Sequence, residues 1–238
     1  MKRAILTGAV ILAVLSTNAM AVMTINITRY DGYYGYHGGG EFTLSSAGGS
    51  DPIPANPIPW QTFCVERSEF VMPPRVAHIT IDKWAVLGGK SGQDVTTPGG
   101  ESADTLDPRT AYLYTKFLDG SLALSGYIYL PGSHREDSAN SLQTAIWKIE
   151  GELVSATELG WYNNDSQAQA WFNEADAAVN NGLWNSLGNI RVANLYTIEN
   201  DQIKYHQSQL IRIPAPGAIL LTGIGIGLVG WLRRRKNL

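Results

Sequence analysis

The last 25 residues of this 238-residue chain, PAPGAILLTGIGIGLVGWLRRRKNL, decide how much of it has to fold in water. Residues 217–232 carry no charge and end on Arg233, Arg234, Arg235 and Lys236. The run is slightly shorter than the about 20 residues of a standard span, but Trp231 suits the interface and arginine stems can snorkel. The pattern predicts one transmembrane helix over 217–232. The cationic cluster is a membrane stop that stays in the cytoplasm, with everything before Pro214 outside. The other end, MKRAILTGAVILAVLSTNAMA, has Lys2 and Arg3, an apolar run over 4–15 and an A-x-A-like exit at Ala19-Met20-Ala21. That is the layout of a signal peptide, 1–21, removed on export. The folding problem is therefore residues 22–213.

A proline motif (Pro214, Ala215, Pro216), one apolar helix and an arginine-rich terminus together resemble the PEP-CTERM sorting signal of Gram-negative bacteria that make exopolysaccharide. Alanine stands where that family has glutamate. The resemblance covers residues 214–238 and implies an exosortase-type sorting enzyme as partner. It also implies delivery across the inner membrane to the cell surface, outer envelope or extracellular matrix. It speaks to address and not to activity.

Of the 18 basic residues, Lys2, Arg3 and the four terminal cations lie in the two targeting segments, which leaves 12 against 21 acidic residues and a net charge near −9 for the ectodomain. Such a surface disfavours nucleic acid and anionic membranes as partners. Cys64 is the only cysteine, so no internal disulfide is available and the thiol must be buried, paired between molecules or used for chemistry.

Periodicity predicts strands at both ends of the ectodomain and helices between. Residues 24–28 alternate as a strand, RYDGYYGYHGGG reads as an aromatic and glycine loop, and EFTLS as a second strand. SDPIPANPIP is an extended connection. WQTFCVERSEFV reads as a half-buried strand with Phe63 and Val65 on the face opposite Cys64. Residues 75–87 form another strand, followed by flexible GGKSGQDVTTPGGES. Helices are expected at 108–118 (N-cap Asp107, Pro108 at N1), at about 139–150, and at 166–179 behind Asp165, with Ala168, Trp171, Phe172, Ala175 and Val179 as the apolar stripe of the last. RVANLYTIE and QIKYHQSQLIRI, joined at Asn200-Asp201, read as a hairpin. The expected fold class is α+β: a mainly β ectodomain, sandwich- or barrel-like, with a helical insertion and one C-terminal transmembrane helix.

Enzyme signatures fail. Gly89-Lys90-Ser91 lacks the upstream glycine of a phosphate loop, since Trp84 occupies that position. His37, His78, His134 and His206 are scattered, so no metal or other cofactor is expected. There is no G-x-S-x-G. Glu150 and Glu152 flank a glycine, which reads as a pair of solvated glutamates rather than a glycosidase pair. A turnover enzyme is not expected.

A cysteine thiol can attack a glutamine carboxamide, expel ammonia and leave an internal thioester, provided sulfur and carbonyl are held in contact away from water. TFCVE over 62–66 and LQTAIW over 142–147 resemble the cysteine strand and the T-Q-x-A-[IV]-W segment of the thioester domains of Gram-positive surface adhesins, with Leu142 where threonine is usual. The resemblance covers two short windows. It implies a bond between Cys64 and Gln143 that captures an amine-bearing surface ligand in a single use, with Phe63, Ala145, Ile146 and Trp147 packing around it. His78 and His134 are candidate proton relays. The alternative keeps Cys64 as a small core hydrophobe and Gln143 as a first-turn helix residue that helps its own cap. The protein is then a noncovalent structural component of an exopolysaccharide matrix or envelope, offering tyrosines and Trp60 for stacking.

Overall fold

The computed structural model describes residues 23–34, 39–47, 60–73, 75–87, 89–90 and 94–213, excluding the side chains of 30–34 and of Trp60. The expected signal peptide, the expected sorting motif, the apolar run over 217–232 and its cationic cluster lie outside the described residues, as do His37 and the proline-rich connection. No helix among the described residues is long and apolar enough to cross a membrane.

The chain is a mixture of helix and sheet. Six antiparallel strands form the main sheet: β1 (Met23–Tyr34), β2 (Gly40–Ser46), β3 (Trp60–Thr62), β4 (Arg75–Asp82), β8 (Ile190–Glu199) and β9 (Gln202–Arg212). Their order is β3-β2-β1-β4-β8-β9, so the helical region enters between β4 and β8, which pair directly. The sheet curls into a half-barrel. Its two edges approach just beyond β3, where Cys64 bridges to Gln209, Val65 N–H donates to Ser208 O at 3.0 Å and Leu210 N–H to Phe63 O at 3.0 Å. Period-two burial explains the strands. Ile25 and Ile27 of β1 and Ala77 and Ile79 of β4 turn inward between less buried neighbours. The β8–β9 hairpin turns at Asn200 (φ 52°) and Asp201 (φ 61°), two residue types that tolerate the left-handed region a two-residue hairpin demands.

Between β4 and β8 lie a small sheet and four α-helices. β5 (Trp84–Val86), β7 (Ser102–Thr105) and β6 (Val95–Thr96) pair in that order. The helices are α1 (Pro108–Leu118), α2 (Ser133–Ile149), α3 (Ala156–Asn163) and α4 (Ser166–Asn180). The Asp107 side chain accepts from Arg109 N–H to cap α1, and Asp165 accepts from Ala168 N–H to cap α4. Within α4, Ala168, Trp171 and Ala175 are fully buried, with Phe172 packed half-buried beside them. Helix α2 packs on β1 and β2 on one side and on α4, α3 and α1 on the others. It thereby separates two apolar clusters: Phe63, Ala145 and Ile146 belong to the helix side, and Cys64, Trp147, Ile25, Phe42 and Leu44 to the sheet side.

Several expectations need correction. β1 runs on to Tyr34 through half of the predicted aromatic loop, because Tyr34 pairs with Gly40 across a register shift. The predicted strand from Trp60 breaks after Thr62, and Cys64 makes only an isolated bridge where the sheet edges meet. Residues 75–87 bend at Lys83 and split between two sheets, and part of the stretch read as flexible supplies β6 and β7. Helix α2 begins at Ser133 rather than 139, since HREDSAN is about two polar turns with one face to solvent and carries no apolar period. Gln143 therefore sits in mid-helix and not in the first turn. Helix α3 was missed; its signal is the capping box Ser155/Glu158, in which Ser155 Oγ accepts from Glu158 N–H and Glu158 accepts from Ser155 N–H.

Candidate functional site

Position in α2 determines where Gln143 points. Arg135, in the first turn, meets Glu41 of β2 in a buried two-pronged pair, Nε to Oε2 at 2.8 Å and Nη2 to Oε1 at 2.8 Å, and its Nη1 also donates to Tyr129 O. That clamp fixes the rotation of α2 against the sheet. Two turns later Gln143, only 1 % exposed, faces the sheet with Trp147 one turn beyond it.

The Gln143 carboxamide is seated on the backbone of Cys64. Oε1 accepts from Cys64 N–H at 2.9 Å and from Gly40 N–H at 3.3 Å, while Nε2 donates to Cys64 O at 2.9 Å. The isolated bridge to Gln209 leaves the N–H and C=O of Cys64 outside the ladder, and Gln143 takes both. The two predicted residues, 79 positions apart, are thus in direct contact through one side chain and one backbone. Cys64 itself is fully buried, and Gln209 Nε2 donates to its Sγ at 3.4 Å. Burial pushes the Cys64 thiol far above its ordinary range, the Glu66 carboxyl pushes it further, and the Gln209 hydrogen bond opposes both. The sulfur rests as a thiol.

Of the predicted pocket residues, Trp147 shares the apolar cluster of Cys64. Phe63, Ala145 and Ile146 do not: they pack on the far side of α2, where Phe63 meets Phe117 edge to face with centroids 5.0 Å apart. The opposition of Phe63 and Val65 to Cys64 read from strand alternation is what the two clusters show. The histidine relays do not form around Gln143. His78 Nδ1 is 3.2 Å from Thr24 Oγ1 and its ring packs against Tyr196. His134 is 81 % exposed in the first turn of α2, about 13 Å along the helix axis from Gln143.

Sequence reasoning missed Gly39 and Gly40. A Cβ on Gly39 would lie 2.5 Å from Gln143 Cγ and 2.6 Å from the Trp147 ring, and Gly40 adopts φ 111° while donating to Oε1. The signal was the run Gly38-Gly39-Gly40, which marks a close backbone approach as readily as a loop. It also missed Gln209, the last of four consecutive buried polar residues in β9 that begin at His206. Gln207 Nε2 donates to Glu66 O at 2.7 Å, Ser208 N–H to Glu66 Oε2 at 3.0 Å, and Ser208 Oγ to Asn194 Oδ1 at 2.9 Å.

Glu150 and Glu152 are not solvated, as the sequence suggested, but buried. Glu150 accepts from Asp107 N–H at 3.3 Å, and burial raises its carboxyl well above the usual range. Glu152 accepts from Arg67 N–H at 2.8 Å and Lys90 N–H at 2.7 Å. Each serves loop backbone, which gives neither the free position a glycosidase acid or base needs. No group of three or more metal-ligating side chains occurs among the described residues.

The arrangement can do one piece of chemistry well. Two backbone N–H groups already point at the carboxamide oxygen, the position where negative charge develops when a nucleophile adds to the carbonyl carbon. The nucleophile within the site is the thiol of the residue that supplies one of those N–H groups. Comparison with protein-family models, curated proteins and solved structures gives no match.

Proposed function

We propose that the protein is an exported surface protein whose ectodomain forms an internal thioester between Cys64 Sγ and Gln143 Cδ and uses it once to capture an amine-bearing ligand covalently. The observation that carries this reading is the seating of a buried glutamine carboxamide on the cysteine backbone, with Cys64 N–H and Gly40 N–H on its oxygen. In the forming step Sγ adds to Cδ, the oxyanion on Oε1 is held by those two donors, and collapse breaks the Cδ–N bond. The thiol proton leaves with the nitrogen as ammonia, so the balance is thiol plus carboxamide giving thioester plus ammonia. Burial of both residues keeps out the water that would hydrolyse the product. In the capture step a primary amine adds to the same carbon, the same donors hold the oxyanion, and Cys64 leaves as the thiol after taking up the amine proton. A single-use bond of this kind is adhesion or cross-linking and not turnover.

The address is part of the proposal. Cleavage of residues 1–21, a transmembrane helix at 217–232 stopped by Arg233, Arg234, Arg235 and Lys236, and exosortase processing near Pro214-Ala215-Pro216 would deliver the ectodomain to the surface or extracellular matrix of a Gram-negative cell.

Intact mass decides the chemistry. The thioester form is lighter than the sequence by one ammonia, resists thiol alkylation, and gains methylamine on exposure to it. A full-mass protein with an alkylatable Cys64 after denaturation and no methylamine adduct refutes the proposal. The second reading, a noncovalent matrix or envelope protein, is favoured by the fact that all three hydrogen bonds of Gln143 are satisfied without any bond to sulfur. Cys64→Ala separates the two. It abolishes amine capture in the first case and changes nothing but a small buried contact in the second.

A further inference from the structure

A second site, independent of the thioester, lies between α2, α3 and the start of α4. There a cavity of about 370 Å³ is lined by Asp137, Ser141, Thr144, Trp161, Asp165 and Gln167 among others. Its volume falls within the about 300–1,000 Å³ of small-molecule sites. Its chemistry is unusual for a gap between packed helices, because the walls are polar. Thr144 and Ser141 are 2 % and 8 % exposed, yet neither hydroxyl has a hydrogen-bond partner among the described residues, and both line the cavity. Hydroxyls of nearly buried residues that open only into a cavity take their partners from what fills it, ordered water or a ligand. Around them the free groups are mostly acceptors. The Asp165 Oδ1 atom caps α4 at 2.8 Å from Ala168 N, which leaves Oδ2 unused, and Gln167 donates Nε2 to Ser125 O at 3.0 Å, which leaves Oε1. Trp161 supplies the one aromatic surface, backed by the Arg67 guanidinium 4.8 Å from its ring. No lysine or arginine side chain among the described residues lines the cavity.

We infer that this cavity binds one ring of a polyhydroxylated ligand, a neutral or amino-bearing pyranose. Each demand of the walls points there. Acceptor-rich walls require a ligand that donates several hydrogen bonds from one small frame. The two buried hydroxyls require a partner that both donates and accepts, which a sugar hydroxyl does and an ammonium group does not. The indole requires an apolar patch on the same ligand, which the C–H face of a pyranose provides. Asp137, with only the His134 ring near it (Nδ1 to Oδ2 at 4.0 Å), and Asp165, with no lysine or arginine among the lining residues, repel an anionic sugar.

The test uses the full chain in a detergent without a sugar headgroup, followed by the Trp161 indole N–H signal, assigned with Trp161→Phe. The probes are methyl glucopyranoside, glucosamine and glucuronate. For a ligand of a dozen heavy atoms, a Kd on the order of 1 mM is expected for the first two, with glucuronate at least about tenfold weaker. Thr144→Val keeps the shape and removes one hydroxyl, so affinity falls about tenfold with the melting temperature nearly unchanged. Asp165→Asn retains the helix cap and should erase any preference for glucosamine, which gives a second readout if Thr144→Val folds poorly. Cys64→Ala is expected to bind the sugars as the parent does, so failure here and failure of the thioester proposal are separate results. Absence of shifts with both neutral and amino sugar up to about 20 mM, equal binding of glucuronate, or full binding by both variants overturns the inference.

Discussion

Replacing Gln143 by alanine tests the site in its unbonded form, in which the expected cost follows from the hydrogen bonds alone. The side chain is the partner of three backbone groups in a region without water access: Cys64 N–H, Cys64 C=O and Gly40 N–H. Leaving a buried polar group unpaired costs about 1–3 kcal/mol. Three such groups would reach about 3–9 kcal/mol if all stayed dry. The vacated volume is polar and large enough to admit a water that recovers part of the loss, so about 4 kcal/mol is the working value. For a domain of this size 1 kcal/mol moves the melting temperature by about 2–4 °C, so Gln143→Ala should melt about 8–16 °C below the parent. Cys64→Ala leaves all three groups paired, because Gln143 binds the backbone of residue 64, and should cost only about 1 kcal/mol through lost packing. Gln143→Met, similar in length but without polar atoms, should resemble alanine. The assay is a near-ultraviolet circular dichroism melt on the three variants. A Gln143→Ala protein melting within about 3 °C of the parent would refute the reasoning, since it would mean that Cys64 and Gly40 find other partners at no cost.

Gly39→Ala forces a methyl to within 2.6 Å of both Gln143 and Trp147, so a loss of about 1–3 kcal/mol is expected in chemical denaturation, together with slowed methylamine capture if the thioester forms. Breaking the buried pair with Glu41→Ala or Arg135→Ala should cost about 3–5 kcal/mol each, whereas Glu41→Leu with Arg135→Met should cost much less than the sum; additive losses in that cycle would show that the pair is not coupled. Burial, with the Glu152 charge beside it, raises the Glu69 carboxyl to about 7, above the about 4.3 of an unfolded chain. The folded protein then holds the extra proton, so the associated stability is complete below about pH 4.3 and is lost as pH rises through about 7. Glu66 and Glu150 are shifted in the same direction by burial. Glu158 is shifted the other way, to about 2, by the Ser155 N–H bond first and then by Lys90, with Arg67 adding its charge; its contribution is present above about 4.3 and lost as pH falls through about 2. The melting temperature should therefore fall between pH 5 and 8, and Glu69→Gln should flatten that slope; an unchanged slope in the variant would exclude Glu69 as its source.

Much of the site was legible in the residues, and the parts that were not share a cause. The lone cysteine and the resemblance of LQTAIW to a thioester-domain segment nominated Cys64 and Gln143, and strand alternation put Phe63 and Val65 opposite Cys64. Local signals also placed α1 and α4 behind Asp107 and Asp165, and the hairpin turn at Asn200-Asp201, because caps and turns are settled by neighbours in the chain. What alternation could not say is which cluster each neighbour of Gln143 joins. Ala145 and Ile146 fall on the helix side and Trp147 on the sheet side, and the sequence does not show this because the second half of α2 is buried nearly all round and carries little amphipathic contrast. The same burial hid the task of Glu150 and Glu152, which look like surface glutamates until the loop N–H groups that they accept from are in place.

By itself the sequence determined the acidic balance of residues 22–213, the absence of an internal disulfide and, through two short windows that resemble thioester domains, which sulfur and which carboxamide to look for. Those are properties of residue type, and no folding is needed to read them. The tertiary structure alone decided that the two meet. Contact between residues 64 and 143 requires the sheet to curl until Cys64 faces Gln209, the Glu41–Arg135 clamp to set the rotation of α2, and Gly39 to let the β2 entry lie on the glutamine. Each is a long-range condition between segments distant in the chain, and none leaves a mark in local periodicity.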